Sequence, residues 1–271
     1  MHSTEEKLAA FERLLKIMGE LREQCPWDRK QTFETLRHLT IEETYELSEA
    51  IMDADMDEIR KETGDLLLHM VFYAQIASET PRDQGGWDIA DSLNGICDKL
   101  IDRHPHIYGD VEANDEETVK ANWEQLKLKE GKKSVLEGVP KGLPSLVKAY
   151  RIQDKVRGVG FDWEHAGQVW DKVQEELAEF QAEVDVDPDR AADEFGDVLF
   201  ALVNYARFKD INPDEALERT NRRFQARFQH MESEIQADVE QGGKTMAEMS
   251  LTELDTYWGR AKSALSSTPL E

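Results

Sequence analysis

The chain has 271 residues, with 57 Asp and Glu against 33 Lys and Arg and a formal net charge of −24. That length accommodates two ordinary domains. The acidic balance excludes a nucleic-acid backbone or an anionic membrane as the main partner, because both need a basic footprint.

Neither an apolar run of about 18 residues nor a basic-then-apolar leader occurs, which predicts a soluble cytoplasmic protein. Cys25 and Cys97 are far apart and form no Cys-x-x-Cys, so neither a disulfide framework nor a zinc site is expected. Leu8, Phe11, Leu14, Leu15, Met18 and Leu21 recur at helical spacing, and Cys25-Pro26-Trp27-Asp28 ends this first helix. A second helical pattern, from residue 32 to about 54, carries Glu42, Glu43 and Glu46. Asp55-Met56-Asp57-Glu58 reads as a capping box for a third helix to about residue 78, which holds Glu62 and Asp65 before turning apolar. A loop over 81–86, a helix over about 87–103, the His104-Pro105-His106 turn and a helix opened by Asp115, with Trp123 and Lys127, complete this part.

Gly131, Gly138, Pro140, Gly142 and Pro144 then mark a linker. The expected organisation is an N-terminal helical domain over 1–130, a linker over 131–144 and a C-terminal helical domain over 145–271. In the second part, helices are predicted over 145–157, from near Lys172, from Asp187-Pro188, from Asn212-Pro213-Asp214-Glu215 and from Ser250-Leu251-Thr252-Glu253. Strand alternation and Asn-Gly or Asp-Gly hairpin turns are absent, so the fold class is all-α.

The two parts repeat one another. At a fixed offset, Glu62, Gly64, Asp65 and Leu67 pair with Glu194, Gly196, Asp197 and Leu199, and Val71, Tyr73 and Ala74 with Val203, Tyr205 and Ala206. Glu42, Glu43 and Glu46 pair with Glu175, Glu176 and Glu179 at an offset one residue larger, the difference falling in the connecting turn. Lys99 and Arg103 match Arg223 and Arg227, and Trp123 and Lys127 match Trp258 and Lys262. This is a tandem duplication of a helical unit.

In a chain this acidic, a lone Glu-Glu-x-x-Glu is more often a solvated helix face than a site. Its recurrence, each time followed by Glu-x-Gly-Asp, weighs against that reading. Helical residues three or four apart share a face, so Glu176 with Glu179 and Glu194 with Asp197 form two carboxylate pairs. An antiparallel hairpin across Asp185-Val186-Asp187-Pro188 sets the pairs face to face. Carboxylates so placed are stable together when protonated or neutralised, and hard oxygen ligands suit Mg²⁺ or Mn²⁺. Glu175 is positioned to accept a proton from a metal-activated water.

Arg223, Arg227 and Lys262 suit phosphate oxygens, and Trp258 suits stacking on a base. Surface charge and core packing are the alternatives for these four. Lys172 reads equally as an ion-pair partner. Gly64 and Gly196 cost roughly 1 kcal/mol each against alanine inside a helix, which a close helix approach beside the acidic groove, or packing alone, would explain.

On these residues the chain resembles the two-copy form of the MazG family of nucleoside triphosphate pyrophosphohydrolases, in the all-α NTP pyrophosphatase superfamily. The motif is Glu-Glu-x-x-Glu followed by Glu-x-x-Asp, present as Glu42, Glu43, Glu46, Glu62 and Asp65 and again as Glu175, Glu176, Glu179, Glu194 and Asp197. The likeness extends to Cys25-Pro26-Trp27-Asp28, Arg103-His104-Pro105-His106 and Gly160-Phe161-Asp162-Trp163. It implies Mg²⁺-dependent hydrolysis of NTPs or dNTPs between the α- and β-phosphates, giving a nucleoside monophosphate and pyrophosphate. It also implies a homodimer in which each site lies in a four-helix arrangement.

The resemblance further implies that the second copy is catalytic. There Glu176, Glu179, Glu194 and Asp197 hold the metal, and Lys172, Arg223, Arg227, Trp258 and Lys262 hold substrate. The first copy, structural or weakly active, keeps Glu42, Glu43, Glu46, Glu62, Asp65, Lys99, Arg103, Trp123 and Lys127 as a lesser site, but has Leu39 where the second has Lys172. Broad base tolerance is expected if Trp258 stacks and does not read base edges. The alternatives are a non-catalytic helical dimerisation or partner-binding protein, and a narrower dUTPase-like enzyme. His69, His104 and His106 form no Glu-x-x-His, which argues against a di-iron bundle.

Overall fold

The computed structural model describes residues 1–109 and 134–265. Among them are ten α-helices and no strand: α1 Thr4–Gln24, α2 Phe33–Met52, α3 Met56–Ser78, α4 Ile89–Arg103, α5 Pro105–Tyr108, α6 Ser145–Arg157, α7 Ala166–Glu183, α8 Pro188–Phe208, α9 Pro213–Glu240 and α10 Leu251–Leu265. The helix expected from Asp115, with Trp123 and Lys127, lies outside the described residues. No described helix is long and apolar enough to cross a membrane. Cys25 and Cys97 are both free thiols, the first half-buried and the second exposed.

Side-chain caps set most helix starts. Ser3 with Glu6, Thr32 with Thr35, and Ser250 with Glu253 exchange reciprocal side-chain-to-backbone bonds at the heads of α1, α2 and α10. Asp55 and Asn212 each accept two N–H groups at the heads of α3 and α9, without the reciprocal bond of a full capping box. α7 begins at Ala166, well before Lys172. Its cap is His165, whose Nδ1 accepts from the Gln168 N–H while the Gln168 side chain accepts from the His165 N–H. A search for Ser, Thr, Asp or Asn caps passes over such a start.

The described residues fall into two compact units, 1–109 and 134–265. In the first, α2 and α3 form a hairpin and α1 packs on α3. Met18, Leu36, Val71, Phe72 and Ile76 make its buried centre, with Phe11, Leu14, Leu15 and Leu39 against it. Each large side chain so buried contributes roughly 1.5–3 kcal/mol.

In the second unit α7 and α8 form the corresponding hairpin, α6 packs on α8, and α9 on α10. Residues 135–138 form a 3-10 turn against α6. Trp170 meets Tyr205 at 4.9 Å between ring centroids, Phe180 meets Phe195 at 5.4 Å, and Glu183 pairs with Arg190 at 3.0 Å. Partners descend along α8 as they ascend along α7, so the hairpin is antiparallel, as its short connection predicts. Small buried residues, Val169, Val173, Val198 and Ala201, line it.

A close helix approach does not explain Gly64 and Gly196. A Cβ at either would meet nothing within 4 Å, so both glycines leave open surface beside Asp65 and Asp197.

Candidate functional site

The antiparallel hairpin of the second unit brings one carboxylate oxygen each of Glu176, Glu194 and Asp197 within 4.8 Å of one another. Glu176 is 6% exposed, Glu194 half-buried and Asp197 exposed, so the trio runs from the interior to an open edge. One turn earlier on α7, Lys172 places Nζ 2.8 Å from Glu175 Oε1 and 2.5 Å from Glu176 Oε1. Those bonds raise its ammonium well above the usual lysine range. Glu179, the expected fourth member, stands outside the trio. Desolvation first, and then repulsion from Glu176 and Glu194, raises its carboxyl above the ordinary value. Arg190 approaches from the hairpin end, 4.0 Å from Glu194.

The first unit repeats the geometry without the lysine. Glu43, Glu62 and Asp65 likewise bring oxygens within 4.8 Å of one another. Leu39, packed on the core, takes the place of Lys172. Desolvation, then repulsion from Glu46, Asp65, Glu62 and Glu42, pushes the Glu43 carboxyl up, and desolvation with Glu46 and Asp65 does the same to Glu62. Glu62 Oε2 is buried with no hydrogen-bond partner.

The first unit also holds a network absent from the sequence reading: Thr40 Oγ1 lies 2.9 Å from His69 Nδ1 and 2.6 Å from the Tyr73 hydroxyl. Burial lowers the His69 pKa, which keeps the ring neutral. The repeat places Val173 and Ala201, both buried, at the equivalent positions of the second unit.

Both trios offer only carboxylate oxygens, a donor set that fits Mg²⁺ or Mn²⁺ better than zinc. The partnerless Glu62 Oε2 fits too, since a buried oxygen of this kind is costly until a donor or a cation meets it.

The expected substrate groups are arranged less compactly. Arg223 and Arg227 stand on α9, and Trp258 and Lys262 on the α10 helix packed against it. Arg223 donates to Thr220 Oγ1 at 2.7 Å, and Trp258 tilts against Phe224 at 5.1 Å. The contacts of Arg223 and Trp258 are thus on their own helix pair, while the cations paired with the second trio among the described residues are Lys172 and Arg190. In the first unit Lys99 is exposed and Arg103 half-buried on α4. Trp123 and Lys127 lie outside the described residues.

A pocket of about 460 Å³ opens between α6, the 158–165 loop and α8. Its α8 wall begins at Phe200, one turn past Asp197. The only sequence signal for it was the run Gly160-Phe161-Asp162-Trp163.

Residues 31–108, which hold the first acidic trio, match the family model described as the MazG nucleotide pyrophosphohydrolase domain. A nucleoside triphosphate pyrophosphohydrolase of Escherichia coli strain K12 is 41% identical over 262 residues, covering 93% of this chain and 97% of that one. The chain belongs to the MazG family. The Thermotoga maritima protein named nucleoside triphosphate pyrophosphohydrolase/pyrophosphatase MazG is 42% identical over 257 residues, 93% of this chain and 95% of that one. An uncharacterised protein of Bacillus subtilis strain 168, YabN, is 45% identical over 267 residues, 95% of this chain and 53% of that one. Kinship with MazG proteins therefore spans both units, as the repeated motif implied.

Proposed function

We propose that this MazG-family chain is a nucleoside triphosphate pyrophosphohydrolase that cleaves NTPs or dNTPs between the α- and β-phosphates, releasing a nucleoside monophosphate and pyrophosphate. The observation that supports it most is the carboxylate trio formed at the same motif positions in both units, in a chain whose full-length relatives bear that activity in their names. Glu176, Glu194 and Asp197 hold the divalent cation, with Glu179 as an adjacent carboxylate. When bound, Mg²⁺ neutralises phosphate charge and makes water a better nucleophile.

The chain's own groups do the rest. Glu175, exposed at the groove edge and oriented by Lys172 at 2.8 Å, takes the proton of the attacking water. Lys172 supplies a point charge to the phosphates, and Arg223, Arg227 and Lys262 add charge from the α9–α10 pair. Trp258 is the aromatic face which that pair offers to a base. The second unit is the working one, since among the described residues its trio is the one paired with a lysine.

Leu177, Phe195, Leu199 and Leu202 are exposed on the α7–α8 hairpin. An apolar face of this kind calls for cover. A second copy of the hairpin provides it and completes four helices as a homodimer.

The test is product identity. With Mg²⁺, the folded protein releases pyrophosphate and monophosphate from a panel of NTPs and dNTPs, and chelation stops it. Release of orthophosphate, or no release from any nucleotide, overturns the reading.

A further inference from the structure

The duplication supplies an internal control for the pocket of about 460 Å³ between α6, the 158–165 loop and α8. At the fixed offset of the repeat, Phe200 and Asn204 stand where the first unit has Leu68 and Phe72. Phe72 is 4% exposed in the buried centre of that unit, and Leu68 packs against it. The first unit thus puts core side chains where the second puts an amide and a ring that is 42% exposed. The hairpin folds without an opening at this place.

The opening is framed by fixed groups. Arg207, its side chain 6% exposed, donates from Nη1 to Asp162 Oδ2 at 2.9 Å and from Nη2 to Asp162 Oδ1, which pins the loop to α8. Gln153 Nε2 donates to the Phe200 carbonyl at 2.8 Å and pins α6 to the same helix. The same bonds orient two amides on the pocket lining. Gln153 is 4% exposed, and its Oε1 is buried with no hydrogen-bond partner among the described residues. Asn204 Oδ1 accepts from Arg207 Nε at 3.2 Å and Nη2 at 2.8 Å, which leaves Nδ2 as a donor with no partner among the described residues. A buried acceptor left unmade is destabilising, and the first unit shows that packing of the hairpin does not demand it. Phe161, Trp163 and Phe200 supply ring faces. Asp162 is neutralised by Arg207, so the lining offers one acceptor, one donor, aromatic walls and no uncompensated charge.

We propose that this pocket is a ligand site separate from the nucleotide site, and that it takes a neutral planar aromatic amide, a lactam or a carboxamide. An amide edge carries an N–H and a C=O side by side, which meets Gln153 Oε1 and Asn204 Nδ2 at once. The ring to which it belongs stacks on the aromatic walls. The volume is typical of small-ligand sites. Neutrality of the lining separates this ligand from the anionic nucleotide, whose phosphates need the cations and the carboxylate trio.

The experiment is an NMR titration of the full chain with 2-pyridone, an aromatic lactam, followed at the ring protons of the ligand. Saturable binding is expected with a dissociation constant on the order of 1 mM, as suits so few atoms. N-methyl-2-pyridone, which lacks the donor, binds about tenfold more weakly. Phe161 is 77% exposed, and Asn204→Asp keeps the acceptor for Arg207 while removing the donor, so Phe161→Ala and Asn204→Asp both spare the fold. Phe161→Ala weakens binding roughly tenfold, the size of one lost stacking contact. Asn204→Asp weakens it by about as much, since a carboxylate repels the lactam carbonyl. A non-hydrolysable nucleotide, α,β-methylene ATP with Mg²⁺, leaves the affinity unchanged.

Absence of saturable binding, equal binding of the N-methyl compound, or unchanged affinity in both variants overturns the proposal. Displacement of 2-pyridone by the nucleotide analogue also overturns it, because the pocket then belongs to the nucleotide site. Binding is read without turnover, so these outcomes are independent of the hydrolytic reading.

Discussion

Replacing Asp162 by alanine removes the only acidic partner the Arg207 guanidinium has among the described residues, across 45 residues of sequence. The Arg207 side chain is 6% exposed and that of Asp162 20%. Breaking a buried pair from one side costs about 3–5 kcal/mol, because the surviving charge stays desolvated and uncompensated. Partial exposure of Asp162, and the Asn204 Oδ1 that still accepts from Arg207, put the effect at the low end, about 3 kcal/mol. At about 2–4 °C per kcal/mol for a chain of this size, the melting midpoint falls by about 6–12 °C.

Urea unfolding followed by tryptophan fluorescence, with Trp163 and Trp170 as probes inside the second unit, reads the loss as a lower midpoint at unchanged slope. Asp162→Ala with Arg207→Met removes both charges and recovers part of the loss. A cost below about 1 kcal/mol for Asp162→Ala refutes the reasoning, since that is the value of a solvated surface pair.

Mg²⁺ at a hundred times its dissociation constant should stabilise the protein by about 2.7 kcal/mol. Calorimetry checks this: Glu194→Gln and Asp197→Asn should diminish the shift, and its absence in wild type makes the trio a solvated face. Lys172→Met takes a competing ammonium off Glu176, so it tightens Mg²⁺ binding in the absence of nucleotide while raising KM for nucleotides. Weaker Mg²⁺ binding in titration calorimetry contradicts the role of Lys172 as an internal counter-ion.

Glu253 is held at about 2 by its hydrogen bonds from Lys244 and then from the Ser250 N–H. Its folded pKa lies below the ordinary value of 4.5, so its stabilising contribution is full above 4.5 and is lost as pH falls through about 2. Carboxyl NMR should show that titration, moved upward in Lys244→Ala. A wild-type value near 4.5 counts against the cap.

Helices and hairpins were legible in the sequence because their causes are local. Apolar spacing, Thr32, Asp55, Asp187-Pro188 and Ser250 act within a turn or two, and the bounds of α6 and the starts of α8 and α10 follow from such signals. The repeated acidic motif was legible because duplication preserves spacing, and three of each expected four carboxylates do converge. Groups that meet only through tertiary structure were not. The Asp162–Arg207 pair has no periodicity to announce it, and the His165 cap uses an uncommon residue. The positions of Arg223, Arg227, Trp258 and Lys262 depend on how α9 and α10 pack, which spacing along one helix does not encode. The glycines were misread for a related reason: helix spacing shows that a side chain is missing but not which surface lacks it.

Glu43 and Glu176 occupy the same motif position in the two units, one in a trio without a lysine and one paired with Lys172 at 2.5 Å. Pyrophosphate release from NTPs with Mg²⁺ by Glu176→Ala and Glu43→Ala, beside wild type, tests the account most directly. It predicts that Glu176→Ala abolishes turnover and that Glu43→Ala keeps most of it; the reverse pattern would contradict the assignment of the reaction to the second unit.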